Sequence, residues 1–432
     1  MSNPLSPHDL AESASGGEAA ACAASNCDGS SLLDNASQRT LRRSAHAASF
    51  IATAAAFCNL YAMQALYPAL AGRFGMGPAS AGSLLTATTL GLALCAPFAG
   101  RLAARSGAKA SVFSALAGLA LTTCLTAFCE HTWSLVALRL LQGLLIPVAL
   151  SALLATGKLW PSVDPAGLAA TYVTGTIFGG LAGRFLPAAL MHTGWSSTFL
   201  CFGGLQLAAT ATVFRLFPNR RGEAGEVKLV QLESLFKWSA QIWPTVCKTI
   251  PHLAIGAAGL MFSQAAITTF VAIRLASAPF NWNTTQLGAL YIVFVPAILF
   301  VRLTPLALRV KGPRWILLAA ATTSWVGLGL TLPEKDVAVV AGLALFSAAV
   351  FVVQTVLAHQ LGCLEVENRE LASGSYLSVY YLAASAGAIA PALIWGSMGW
   401  VGCLGMVAAV QASGLLIAKV CKINEFPQKM SL

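Results

Sequence analysis

Four arginines stand inside long uncharged runs of this chain: Arg139, Arg184, Arg274 and Arg302. A guanidinium is always charged and presents its donors in a rigid fork that fits a carboxylate or a phosphate. The same runs hold no acid to neutralise them, because all 16 Asp and Glu fall in tails or loops. Arginines without acids make an electropositive interior. Such an interior disfavours organic cations and favours an anionic, zwitterionic or metal-chelating small molecule; carboxylic acids, phosphorylated sugars and siderophores are of this kind. Coupling to protons commonly uses a desolvated carboxylate. Here only Glu130 and Asp164, close to the ends of apolar runs, or the imidazole of His359 could take that part. Catalysis is not expected. No nucleophile constellation falls on one face, no phosphate-binding glycine loop is present, and the 11 cysteines show neither CxxC nor Cys/His metal spacing. No metal or other cofactor is assigned.

The elements that carry these side chains are dictated by composition. The chain is 57% apolar and only 10% charged, with a mean hydropathy of +0.72, whereas an ordinary soluble domain carries roughly 25% charged residues. Lipid is the main solvent. Backbone in lipid must satisfy its own hydrogen bonds, so each crossing is a helix of about 20 apolar residues. Twelve such runs are legible, from Ser49–Leu70 to Gly399–Val420. The expected fold class is an all-α polytopic membrane protein of 12 transmembrane helices. Residues 1–47 are expected to be a disordered tail, 48–217 a six-helix bundle, 218–248 a polar linker, 249–421 a second six-helix bundle and 422–432 a C-terminal tail. Arg139 lies about 9 Å into the fourth run at 1.5 Å per residue. Burial there costs roughly 2.5–3.5 kcal/mol on insertion scales, so it needs a partner or a task. Arg184 and Arg274 come late in spans five and seven, and Arg302 near the end of span eight. From these places a long side chain is expected to snorkel to the head groups.

Charge position fixes the expected orientation. With both termini in the cytoplasm, most of the 26 Lys and Arg fall on the inner side, as the positive-inside rule requires. The net charge of +10 then faces anionic lipid rather than nucleic acid. The two halves also superpose at a fixed offset. Gly107, in a basic turn, is 205 residues before Gly312, and Gly194-Trp195 is 205 before Gly399-Trp400. Equal separation of two landmarks implies parallel six-span repeats with a site between them.

With these motifs the chain resembles the major facilitator superfamily over essentially everything after residue 45. The turn after span two, Gly100-Arg101-Leu102-Ala103-Ala104-Arg105-Ser106-Gly107-Ala108-Lys109, is similar to that family's first signature, with Ala104 where an acid is usual. Arg139-Leu140-Leu141-Gln142-Gly143 in span four matches the second, whose arginine is buried and tied to coupling. Gly175, Gly179, Gly180, Gly183 and Pro187 in span five look like the glycine-rich element of antiporters. The segments Gly179–Arg184 and Ser373–Tyr381 look closest to arabinose-efflux and drug-efflux permeases. The resemblance implies a secondary carrier of a bacterial inner membrane working by alternating access, with export favoured and a proton as possible coupling ion. Uptake of an anionic nutrient or siderophore, and a transport-inactive sensor or scaffold, are the alternatives. It further implies a substrate path lined by Asn59, Tyr61, Gln64, Arg139, Gln142, Gln264, Thr268, Arg274, Gln354, Tyr376 and Tyr380. Gating or coupling would fall to Arg139, Arg184, Arg105, Gly107, Lys109 and Gly312.

Overall fold

The computed structural model describes residues 38–155, 165–217, 240–362 and 369–420, and among these it is all helix with no strand. The first half contains α1 (residues 38–61), α2 (Pro78–Ser106), α3 (Ala108–Thr126), α4 (Thr132–Ala155), α5 (Pro165–Leu190) and α6 (Trp195–Leu216). The second begins with α7 (Pro251–Ala276). The next crossing starts as the helix Thr284–Leu290, tightens into a 3₁₀ turn at Tyr291–Phe294 and resumes as the helix Ala297–Leu330. That helix breaks at Gly312 (φ 74, ψ 164), which separates α8 (residues 284–311) from α9 (residues 313–330). Then come α10 (Asp336–Gly362), α11 (Arg369–Ile389) and α12 (Ala392–Val420), the last broken at Gly399.

Nine segments among the described residues are long and apolar enough to cross a membrane, and one of them, Thr284–Leu330, has 47 residues, enough for two passes. Helices also stand at the two remaining expected positions, α1 and α11. The tail expectation changes at its inner end. Residues 38–47 are the first turns of α1, where Ala45 and Ala48 are fully buried and His46 Nδ1 lies 2.7 Å from Thr171 Oγ1 of α5. Small apolar residues on one face of an otherwise basic stretch dock it on the bundle. Of the expected linker, residues 240–248 are helical and 218–239 lie outside the described residues.

The internal repeat is visible in side-chain contacts. Gly107 and Gly312 both hold positive φ, as do Gly194 and Gly399, where a side chain would be strained. Trp195 donates its indole N–H to the Thr126 carbonyl at 2.9 Å, and Trp400 donates to Thr331 Oγ1 at 3.1 Å. Thr126 and Thr331 are again 205 apart. The turns at Gly107 and Gly312 lie at the end of the bundle that carries the linker; those at Gly194 and Gly399 lie at the opposite, far end.

Helices in lipid gain little from hydrophobic exclusion and associate through close packing of small residues. Gly175, Gly179 and Gly183 of α5 lie against the α1 backbone at Phe50, Ala54 and Cys58, with no room for a Cβ at the last two. Across the halves, α2 follows α11 over its length. Gly82 abuts Ala388, Thr86 Oγ1 donates to the Ser385 carbonyl at 2.9 Å, and Ser378 Oγ donates to the Ala93 carbonyl at 2.8 Å. At the far end Gly288 of α8 meets α5, where an added Cβ would be 2.7 Å from that of Ala188.

Candidate functional site

The glycine stripe of α5 brings Arg184 to the junction of the two halves. It does not snorkel: it is 1% exposed and points inward. Nε donates to Gln64 Oε1 at 2.6 Å and Nη1 to the Gly180 carbonyl at 2.7 Å. The guanidinium carbon is 3.8 Å from the ring centre of Tyr61, 4.6 Å from that of Tyr291 and 5.1 Å from that of Phe294. Nη2 is buried without a hydrogen-bond partner, with the Tyr61 and Tyr291 hydroxyls beside the guanidinium. Among the described residues no carboxylate pairs with it. A charge out of water is costly unless compensated, and here three aromatic faces and two carbonyl-type acceptors supply the compensation.

This cluster ties the halves together. Gln64, in the turn that ends α1, donates Nε2 to Thr268 Oγ1 of α7 at 3.3 Å; Thr268 donates to the Gln264 carbonyl at 2.7 Å; Tyr291 donates to the Thr268 carbonyl at 2.8 Å. Gln264 Oε1 and Thr269 Oγ1 are buried with open valences. Tyr376, Tyr380 and Tyr381 of α11 pack ring on ring, at 5.8 and 5.0 Å between successive centroids. Tyr380 and Tyr381 lie within electrostatic reach of Tyr61 and Tyr172. Six of the 7 tyrosines in the chain thus gather around the junction.

Arg139 is used differently. It is 1% exposed and donates Nη1 to the Asn59 carbonyl (2.9 Å), Asn59 Oδ1 (3.3 Å) and Gln142 Oε1 (2.6 Å), and Nη2 to the Leu60 carbonyl (2.7 Å). Asn59 and Leu60 are in the last turn of α1, where carbonyls lose their i+4 N–H partners; the Asn59 carbonyl keeps a 3.3 Å bond from the Ala62 N–H. Arg139 supplies that missing cap, and a cation at a helix C-terminus is favoured by the dipole. Asn59 in turn donates to Thr123 Oγ1 of α3 at 2.6 Å. Arg139, Asn59 and Gln142 therefore lock α1, α3 and α4 together. Only Nε of Arg139 is left without a partner, and this arginine lines a small cavity with Gln64, Tyr67 and Thr269.

Several expected site residues lie elsewhere. Arg274 donates to the Thr331 and Leu332 carbonyls at the end of α9 and lies 5.3 Å from the Trp400 and Phe280 rings, a far-end cap rather than a member of the cluster. Lys109 donates to the Phe217 carbonyl that follows α6, at 3.3 Å, and lies 4.5 Å from the Phe214 ring. Gly107 and Gly312 shape the α2–α3 and α8–α9 turns, and the side chain of Arg105 lies outside the described residues. Gln354 is partly buried on α10, and its side chain makes no hydrogen bond among the described residues; Arg302 is exposed. Missing from the expected set were Tyr291, Phe294, Tyr172 and Tyr381. The three tyrosines among them carried one signal, the rarity of that residue in the chain, with 7 in all; Phe294 carried none.

A sequence profile of the Major Facilitator Superfamily matches residues 49–388. The chain belongs to this superfamily. An uncharacterized transporter of Buchnera aphidicola (subsp. Schizaphis graminum) is 22% identical over 377 residues, covering 85% of this chain and 89% of the relative. An inner membrane transport protein of Escherichia coli is 25% identical over 374 residues, covering 85% and 88%. A gallate transporter of Pseudomonas putida is 33% identical over 156 residues, 35% of this chain and 34% of that protein. Among solved structures, a mutant of the nucleoside transporter NupG matches with TM-score 0.69 at 12% identity, covering 88% of this chain and 99% of its own. An inward-facing bacterial homologue of the lysosomal transporter Spinster matches with TM-score 0.62 at 14% identity, covering 89% and 94%. At such identities the likeness is one of fold. This membrane transporter fold is the frame in which the Arg184 cluster sits.

Proposed function

We propose that the chain is a secondary carrier of a small organic anion, an aromatic carboxylate foremost, held at Arg184. The single observation behind this reading is that cation itself: buried at the junction of the halves, free of any carboxylate among the described residues, faced by aromatic rings and with Nη2 open. A carboxylate would take Nη2 and, by displacing Gln64 Oε1, Nε as well, completing the two-pronged contact that guanidinium geometry favours. Its ring would stack among the tyrosines. The gallate transporter relative moves a solute of this chemistry, a trihydroxylated benzoate.

The same contact explains alternation between two accessible faces. Gln64 holds Arg184 and reaches across to Thr268. Substrate that captures Arg184 releases Gln64, loosens the tie between the halves at the far end, and lets them rock about the site. The glycines of span five, which by resemblance point to export, are accounted for by packing against α1; flux in this reading follows the imposed gradients. Twelve crossings, cytoplasmic termini, an inner-membrane location and a proton as coupling ion complete the proposal.

The test is counterflow in proteoliposomes. Labelled gallate or benzoate exchanging against the unlabelled compound, with the lipophilic cation tetraphenylphosphonium failing to compete, supports it. Saturable cation transport without any effect of carboxylates rejects it. Saturable binding of the carboxylate with no counterflow supports the sensor alternative instead.

A further inference from the structure

A second cavity, of about 170 Å³, lies inside the C-terminal half between α7, α9, α10 and α12. Its α7 wall runs from His252 through Gly256 to Ser263, a different set of residues from Gln264 and Thr268 of the central cluster. Most of the lining is apolar and no Lys, Arg, Asp or Glu contributes. Polar groups are few and placed: Gln411 Nε2 donates to Ser324 Oγ at 3.1 Å, and Gln360 Nε2 is buried without a hydrogen-bond partner. A buried amide N–H left unpaired is costly, so an acceptor brought by a ligand would be favoured there.

The internal repeat provides the control. At the 205-residue offset, Ala321 and Ser324 of α9 correspond to Leu116 and Leu119 of α3, which are 1% and 0% exposed. Gly256 corresponds to Ile51, and Gln360 and His252 correspond to Ala155 and Ala47. Leucines in the first half fill the helix α3 side of the bundle. The second half has small residues there and adds polar ones, so its void opens on the α9 side, whereas the first half is filled on the α3 side and keeps its cavity against α5, lined by Ile51, Ala54, Cys58 and Gln206. We infer that the cavity is a binding site for an uncharged, single-ring aromatic molecule carrying a hydrogen-bond acceptor for Gln360. The size agrees: a cavity of about 150 Å³ accommodates benzene. The absence of charged lining groups excludes an ion as occupant.

Benzamide is a suitable probe, titrated by calorimetry onto the full chain in lipid nanodiscs. Saturable one-to-one binding is expected in the parent and also in Arg184→Gln, which separates this site from the central one. Ala321→Leu with Ser324→Leu, which copies the first half, should abolish binding; the leucines fill the void while the Ser324–Gln411 hydrogen bond is lost. Gln360→Leu should weaken it at least tenfold and serves as the second variant if the leucine pair does not fold. No binding to the parent, loss in Arg184→Gln, or undiminished binding in the leucine-filled or Gln360→Leu protein overturns the inference. None of these outcomes depends on whether the central site takes an anion.

Discussion

Arg184 of the N-terminal half lies 4.6 Å from the ring centre of Tyr291 of the C-terminal half, and the Tyr291 hydroxyl is itself bound to the Thr268 carbonyl. A single cation thus sees aromatic surface from both repeats, Tyr61 on one side and Tyr291 on the other. Any rocking of the halves must separate or reshape that pair. In the proposed mechanism the solute site and the gate are therefore one cluster.

Closure of the far end relies on glycines that leave no space for a side chain. Gly82→Val would collide with the α11 backbone at Ala388, and Gly288→Leu with Ala188 on α5. Both variants should hold the far end open. Spin labels at the exposed positions Gly72 and Thr285 should report longer distances than in the parent, and counterflow should fall more than tenfold. Unchanged distances would show that the α2–α11 and α5–α8 contacts do not set closure.

Arg139 is predicted to be a matter of stability before transport. Arg139→Met keeps the volume but removes the donor to the buried Leu60 carbonyl, Asn59 Oδ1 and Gln142 Oε1, leaving the Asn59 carbonyl only its bond from the Ala62 N–H. An unsatisfied buried acceptor costs about 1–3 kcal/mol, so the loss should reach at least about 2 kcal/mol. Thermal unfolding in detergent reads it directly, and a midpoint equal to the parent's would contradict the capping role.

The two repeats should answer alike at their tryptophans. Trp195→Phe and Trp400→Phe each remove one indole hydrogen bond, worth about 0.5–1.5 kcal/mol. The bonds lie in separate halves, so the double variant should lose the sum. Strongly unequal or non-additive losses in thermal unfolding would mean that the structural equivalence is not energetic.

Much of this was legible in the residues. Long apolar runs announce the spans, and the separation of Gly107 from Gly312 announces the repeat that the Trp195 and Trp400 contacts display. Arg139, deep in its run, had to have partners, and it has them. Arg184 was harder. Its distance from the end of α5 says that it can reach the head groups, but the rotation of α5 is set by Gly179 and Gly183 docking on α1, and that rotation turns the next residue inward. Arg274 shows the opposite case: its type fits an anion, yet it is spent on the last carbonyls of α9, a need that exists only once α7 and α9 are placed together. Tyr291 and Phe294 face the cation from a 3₁₀ turn, which apolar periodicity does not foretell.

The most direct test of the account is benzoate counterflow in proteoliposomes containing Arg184→Gln, beside the parent and with folding confirmed by an unchanged unfolding midpoint. Loss of a charge-assisted contact worth about 1.5–3 kcal/mol predicts at least a tenfold fall in apparent affinity for the carboxylate. Counterflow by Arg184→Gln at the parent's affinity would contradict the claim that this arginine holds the solute.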